Sequence, residues 1–274
     1  MNKLLKNKTI FISGASRGIG RSIALRAAMD GANVVIAAKT AEPHPALPGT
    51  VYTVAKEVEA MGGKALPIIV DVRNEQSIEE AVNKTIDEFG GLDILINNAS
   101  AISLTKTENT PSKRFDLMFD INVRGSYLCS KICIPHLKKS QNPHILSLSP
   151  PLDLQAKWFA EHAPYTMSKF AMSMLIMGLA EELKEVGISA NALWPRTIIA
   201  TSALKIAKPG FDELARTPEI MADAAYEIIT STRGNITGRF YLDEEILRER
   251  GVSDFSAYLV TPGIEPMIDL FVDP

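Results

Sequence analysis

The chain has 274 residues, of which 46% are hydrophobic and 22% charged, with a formal net charge of −3 and a pI near 5.9. This balance weighs against a general nucleic-acid binder, which carries a basic face. No apolar run approaches the ~20 residues of a membrane-spanning helix, and the apolar start of "MNKLLKNKTIFISG" is too short for a signal peptide.

The first strand is predicted at 8–13, "KTIFIS". "GASRGIG" follows it and opens a helical pattern near 18–30, with Gly14, Gly18 and Gly20 in a G-x-x-x-G-x-G arrangement. Glycines there permit a tight turn and let backbone N–H groups approach a pyrophosphate at a helix N-terminus. A lone glycine triplet is weak evidence, but its place between a first strand and a helix points to a dinucleotide site. That site would use Gly14, Ser16, Arg17, Gly18, Ile19 and Gly20.

The second strand, 33–38, ends in Lys39, with no acid before Glu42. A carboxylate there would pair with the ribose hydroxyls of NAD and repel a 2′-phosphate. Lys39 and Arg17 therefore favour NADP(H) over NAD, while a solvated loop lysine is the plainer reading of Lys39. The proline-rich "KTAEPHPALPGT" (39–50) exceeds the usual connection of about 4–6 residues.

A helical stretch at 51–61 leads to a third strand at 64–70, which ends with Asp71 and Val72 beside the expected adenine. A helix near 74–89 and a fourth strand at 92–97 follow. "NNAS" then sets Asn98 and Ala99 along the adenosine side of the cleft, since ligands sit at the carboxyl ends of such strands.

The longest helical pattern, 111–138, has Thr110 as its N-cap and Pro111 in its first turn. It carries both cysteines, Cys129 and Cys133, whose spacing is neither a zinc pair nor a redox pair, so buried free thiols are expected. The histidines His44, His136, His144 and His162 form no metal-ligand pattern, and no metal is expected. His162 reads as a loop or surface histidine.

The fifth strand, 143–149, ends at Ser149 and runs into Pro150-Pro151. A helix at 165–186 then opens with Tyr165 and carries Lys169 four residues on, on the same face. A phenol of pKa ~10 is a poor acid at neutral pH. A neighbouring ammonium lowers that value, which makes Tyr165 a proton donor to a forming alkoxide. Lys169 is also placed to hold the nicotinamide ribose. In the intervening loop, Trp158 and Phe159 read either as walls of an apolar substrate pocket or as ordinary packing.

Strands at 187–193 and 238–242 flank a last helix at 218–230. Strands joined by helices run parallel, and near-continuous Val/Ile/Leu runs suit strands covered on both faces. The expected fold is α/β: a single doubly wound parallel sheet of Rossmann type with about seven strands and helices on both faces. It forms one dinucleotide-binding catalytic domain, 1–274, with a core of about 8–242 and an extension at 243–274. The extension either covers the sheet edge or joins a subunit contact.

"GASRGIG", "NNAS", "INVRG" and "YTMSK", in order and over residues 8 to about 242, resemble the short-chain dehydrogenase/reductase family. "IAAKTAEPHPALPGT", "NNASAISLT" and "NALWPRT" are similar to a subgroup in which a sterol-carrier domain follows; no such domain is expected within these 274 residues. The resemblance implies catalytic Tyr165 and Lys169, and Asn122 as the residue that bends its helix and holds a relay water. A plain polar residue inside a helix is the other reading of Asn122. The family's usual Pro-Gly after the sixth strand is Pro195-Arg196 here, with Ile198 expected to offer backbone to the carboxamide. The strand-end serine of the family is displaced: Ser149 takes the first of two small-residue places and Pro150 the second. Adjacent residues of a strand face opposite sides, so Ser149 serves the substrate only if the two prolines twist the chain; otherwise no serine hydroxyl serves.

The expected activity is hydride transfer between NADP(H) and a small apolar carbonyl or secondary alcohol, with Tyr165 as general acid/base. The alternative is a non-catalytic NADP(H)-binding regulator or scaffold with a degenerate substrate site. The helix after Tyr165, "FAMSMLIMGLAEEL", is apolar over more surface than a sheet covers, so a homodimer or homotetramer is expected. The expected location is intracellular, cytoplasmic by default, with an organelle left open.

Overall fold

The computed structural model describes residues 3–43, 47–232 and 236–273; His44 lies outside them. Strands β1 (Thr9–Ser13), β2 (Asn33–Ala38), β3 (Lys64–Ile69), β4 (Ile94–Asn97), β5 (His144–Ser147), β6 (Ser189–Trp194) and β7 (Phe240–Leu242) form one parallel sheet in the order β3-β2-β1-β4-β5-β6-β7. The order reverses between β1 and β4, which opens a crevice at their carboxyl ends.

Alternation along the strands builds two cores. Ile10, Ile12, Val34, Ile36 and Ile96 face one layer of helices, while Phe11, Val35, Leu95 and Ile145 face the other. The end strand β3 is largely only half-buried and contains Pro67, which an edge strand tolerates because it need not donate on both sides.

Helices α1 (Gly18–Met29), α2 (Val51–Ala60) and α3 (Glu75–Phe89) link the first strands. Thr50 closes a reciprocal capping box with Thr53 at α2, and the Asn74 side chain accepts from Ser77 N–H at α3. The long helix expected at 111–138 is broken. It comprises α4 (Ser112–Met118), a π-helical turn (Phe119–Gly125) and α5 (Ser126–Leu137). Thr110 does not cap it. The Thr110 hydroxyl donates back to the Lys106 carbonyl at 2.9 Å, and Pro111 takes the cap place with no side-chain bond.

Helix α6 (Ala163–Glu182) starts two residues before Tyr165, with Pro164 in its first turn. Two short helices, α7 (Ser202–Ala207) and α9 (Asp243–Glu249), were not foreseen and flank α8 (Glu219–Ile229). Cys129 and Cys133 are buried free thiols, and burial pushes the Cys129 thiol up to about 12. Among the described residues no helix is long and apolar enough to cross a membrane.

Candidate active site

The turn from β1 into α1 is closed from below by β4. Asn98 donates from Nδ2 to the Ser13 and Gly14 carbonyls at 2.9 and 3.0 Å, and the Ser13 hydroxyl accepts from the Asn98 and Ala99 N–H groups. A Cβ on Gly14 would lie 2.8 Å from Ala99 Cα, and one on Gly20 would lie 2.8 Å from the Gly14 carbonyl oxygen. Side chains at either place are therefore incompatible with the turn. The first turn of α1 has no side-chain cap, so its N–H groups stand ready for an anion. Among the described residues, Gly18 has only Thr201 within 4 Å of its missing side chain, at 3.4 Å. This cradle fits a pyrophosphate, with Ser16 buried in the loop and Ile19 half-buried in the helix.

At the end of β2 and β3 the charges are paired. Lys39 Nζ lies 3.3 Å from an Asp71 carboxylate oxygen, and Arg73 grips the same carboxylate with a 2.7 Å contact. These bonds hold the Asp71 carboxyl well below the usual carboxylate range. Arg17 reaches the same end of β2 as Lys39: it donates to the Thr40 hydroxyl at 3.1 Å and to the Leu47, Pro48 and Gly49 carbonyls. Val72 is buried against Gly125, where a Cβ would come within 2.9 Å.

Tyr165 and Lys169 sit together on α6, 5% and 2% exposed. Lys169 Nζ donates to the Leu148 carbonyl at 2.6 Å and lies 5.1 Å over the Trp194 ring. Burial brings the Lys169 ammonium down to about 7. Burial, with the Asp269 charge, pushes the Tyr165 phenol above its ordinary value, the reverse of the lowering expected from Lys169. Burial is the larger cause, and no effect of Lys169 on the phenol offsets it.

Asn122 lies in the π-helical turn and is fully buried. Its Oδ1 accepts from Ala101 N–H at 2.7 Å, and its Nδ2 donates to the Ala101 carbonyl and to the Ser168 hydroxyl. The helix changes to π-helical winding around Asn122, whose side chain ties the segment after β4 to α6.

Ser149 is 0% exposed, and its hydroxyl has no hydrogen-bond partner among the described residues. The Pro150 carbonyl accepts from Ser173 Oγ at 2.6 Å, which fixes the chain beyond it.

After β6 the backbone runs one residue out of the expected register. Ile198 N–H donates to Met267 and its carbonyl accepts from Arg216 N–H, so both of its polar groups are taken. Ile199, paired beside Arg216, directs its own N–H and carbonyl the other way, and neither is bonded among the described residues. Arg196 N–H donates to buried Asp243 at 2.9 Å, which anchors the Pro195-Arg196 turn; burial pushes the Asp243 carboxyl up to about 6.

The first part of the tail, α9, packs beside the edge strand β7, with Ile246 and Leu247 buried in the same core as Tyr241, and the rest docks on the loop after β6. Ile268 bridges to Thr197, and Trp194 Nε1 donates to the Leu270 carbonyl at 2.8 Å. Phe271 lands among Trp158, His162, Tyr165, Phe170 and Trp194, with ring centroids 5.3–6.3 Å away. Trp158 and Phe159 join this same apolar cluster. His162 is buried, not on the surface, with Nδ1 3.0 Å from the Thr166 hydroxyl. The sequence offered no signal for Ile199, Asp243, Asp269 or Phe271, because non-local pairing sets all four places.

A glycine cradle lies at the switch point of the sheet, and the buried Tyr165–Lys169 pair lies on α6 across the crevice from it. The sequence profile of the short chain dehydrogenase family matches residues 8–209, and the chain belongs to that family. It is 59% identical over 266 residues, 97% of its length, to hydroxysteroid dehydrogenase-like protein 2 of Xenopus tropicalis, and 57% identical to the human protein of that name. It spans 63% of the length of these relatives. A short chain dehydrogenase crystal structure from Mycobacterium thermoresistibile superposes with a TM-score of 0.93 at 52% identity, covering 98% of this chain and 96% of that one.

Proposed function

We propose that the chain is an NADP(H)-dependent oxidoreductase that interconverts an apolar carbonyl compound and its secondary alcohol. The single observation that carries this reading is the Tyr165–Lys169 pair buried at the carboxyl end of the sheet, opposite the glycine cradle. When bound, the nicotinamide would supply or accept the hydride. Burial keeps Tyr165 a phenol at neutral pH, the form able to protonate a forming alkoxide. Lys169 is held by the Leu148 carbonyl one helical turn after Tyr165, where an ammonium suits ribose hydroxyls. The apolar cluster of Trp158, Phe159 and Phe271 supports an apolar substrate.

The preference for the 2′-phosphorylated cofactor rests on charge. Lys39 and Arg73 together outweigh Asp71, and Arg17 lies beside Thr40. A carboxylate already paired twice is a poor partner for free ribose hydroxyls, and the surplus cations suit a phosphate. The test pairs a carbonyl panel with cofactor titrations. Wild type is expected to oxidise NADPH with at least one aromatic aldehyde or ketone, and to bind NADPH about 10-fold or more tighter than NADH. Lys39→Ala should lose most of that difference. Tighter binding of NADH by wild type would overturn the cofactor assignment, and a silent panel would favour the regulator reading.

The same proposal includes a second copy of the chain. Helix α6 leaves Met167, Met174 and Met177 about half exposed, and Tyr127 on α5 is equally bare. Such a contiguous apolar face suits a homodimer or homotetramer. Light scattering at micromolar concentration should give a multiple of 29.9 kDa, and a monomer would refute it.

A further inference from the structure

We propose that Asp269, carried into the active site by the C-terminal strap, is a catalytic residue whose carboxyl O–H donates a hydrogen bond to the substrate carbonyl oxygen, the part for which the Ser149 hydroxyl is not placed. This rests on the carbonyl-reductase reading above.

The strap Thr261–Asp273 is fixed at several points. Met267 N–H donates to the Leu214 carbonyl at 2.8 Å and its carbonyl accepts from Ile198 N–H at 2.9 Å; Asp269 N–H donates to the Arg196 carbonyl at 3.0 Å. The Trp194 indole holds the Leu270 carbonyl, Phe271 lies over the Tyr165 ring with an interplanar angle of 29°, and Asp273 pairs with Lys157. Every anchor but the Leu214 and Lys157 contacts is to the loop after β6, to Trp194 or to Tyr165, so the strap is part of the site's wall.

Asp269 is half-buried in that wall. One carboxyl oxygen accepts from Leu270 N–H at 2.7 Å; the other makes no hydrogen bond and no ion pair among the described residues. The charged and titratable groups that feel it are Tyr165 and Lys169 on α6, Lys208 at the end of α7 and Asp243 at the start of α9. A half-buried carboxyl group with one oxygen unpaired and no ion pair among the described residues is disfavoured in its charged form, although Lys208 and Lys169 oppose that effect. Burial pushes Asp269 up to about 7, so near neutral pH and below it is an O–H donor.

Ser149 makes the need concrete. Its hydroxyl is enclosed, whereas the free Asp269 oxygen is not among the enclosed unpartnered atoms. In the reduction, the reduced cofactor, when bound, would supply the hydride of the new C–H bond, and the C=O π pair would move onto oxygen. That oxygen takes the Tyr165 proton, which solvent later replaces. Asp269 keeps its proton throughout and only stabilises the charge that develops on oxygen.

The test uses the intact chain with NADPH and 4-nitrobenzaldehyde, comparing wild type, Asp269→Asn and Asp269→Ala between pH 6 and 8. The amide of Asn keeps a donor at every pH and also retains the bond from Leu270 N–H. Asp269→Ala should lower kcat/KM at pH 6 by about 10–100-fold, while Asp269→Asn stays within about 3-fold of wild type. From pH 6 to 8 the Asp269→Asn to wild-type ratio should rise at least about 3-fold, because only the wild-type donor ionises. If Asp269 instead acts only by keeping Lys169 protonated, removing its charge lowers the Lys169 value, and the ratio falls over the same range; that result overturns the proposal. A carboxyl infrared titration should show a band lost in Asp269→Asn with a midpoint near 7, and a midpoint near 4 would also overturn it. Turnover that ignores position 269 sinks this inference alone, whereas no turnover of any carbonyl by wild type sinks both it and the reductase reading.

Discussion

Tyr165→Phe is expected to lower kcat/KM for every carbonyl substrate by about 10²–10⁴-fold, the usual worth of a positioned proton donor. The ring remains, so its packing against Phe271 and the buried cluster remains too. The phenolic oxygen has no hydrogen-bond partner among the described residues, so its loss should change unfolding free energy by less than about 1 kcal/mol. NADPH affinity should stay within about 3-fold, because the glycine cradle and Lys169 are untouched. Stopped-flow turnover, fluorescence titration and urea denaturation on the same preparation separate these effects. A Tyr165→Phe variant as fast as wild type would place proton transfer elsewhere and remove the central support of the proposed function.

Gly20→Ala carries the second large expected effect, and its origin is steric. The new methyl would lie 2.5 Å from Asn98 Nδ2, 2.8 Å from the Gly14 carbonyl oxygen and 3.1 Å from Ala15 Cα. Two of those neighbours are backbone, and Asn98 cannot swing aside without breaking its bonds to the Ser13 and Gly14 carbonyls. Overpacking of this kind costs about 1–3 kcal/mol, and the lost hydrogen bonds add to it. Because the turn itself must shift, NADPH affinity should fall by about 100-fold or more. Gly18→Ala is the control: its nearest neighbour is a Thr201 methyl at 3.4 Å, so only the left-handed backbone (φ +55) resists, by about 1–2 kcal/mol. Equal losses in the two variants would contradict the packing account.

What the sequence made legible was local. Each strand announced itself by an apolar run, and the glycine turn by its place after the first of them. Tyr165 and Lys169 declared their shared face through helical spacing. Boundaries failed where a local pattern concealed a change of register. The 111–138 pattern reads as one helix because a π-helical turn keeps side chains facing inward while adding a residue to the turn.

The Ile198 reading slipped by one residue for a similar reason. Which backbone groups point at the cleft is decided by pairing with Met267 and Arg216, far away in sequence. Asp269 and Phe271 sit in a tail without periodicity, and long-range bonds to Thr197, Arg196, Ile198 and Trp194 bring them to the tyrosine. Arg17 was legible as a cation but not as a fastener, since its partners are loop carbonyls that carry no sequence signature.

The docking of the strap also has a practical side for anyone handling the protein. The described residues ahead of β1 enter the sheet at its amino edge, while Asp273 leaves beside Lys157 at the opposite, catalytic edge. A load applied at Asp273 would therefore be felt by Phe271 and Asp269 beside the tyrosine, whereas one applied to the described residues ahead of β1 would meet the far side of the sheet. Surface immobilisation should accordingly hold the protein by that amino edge.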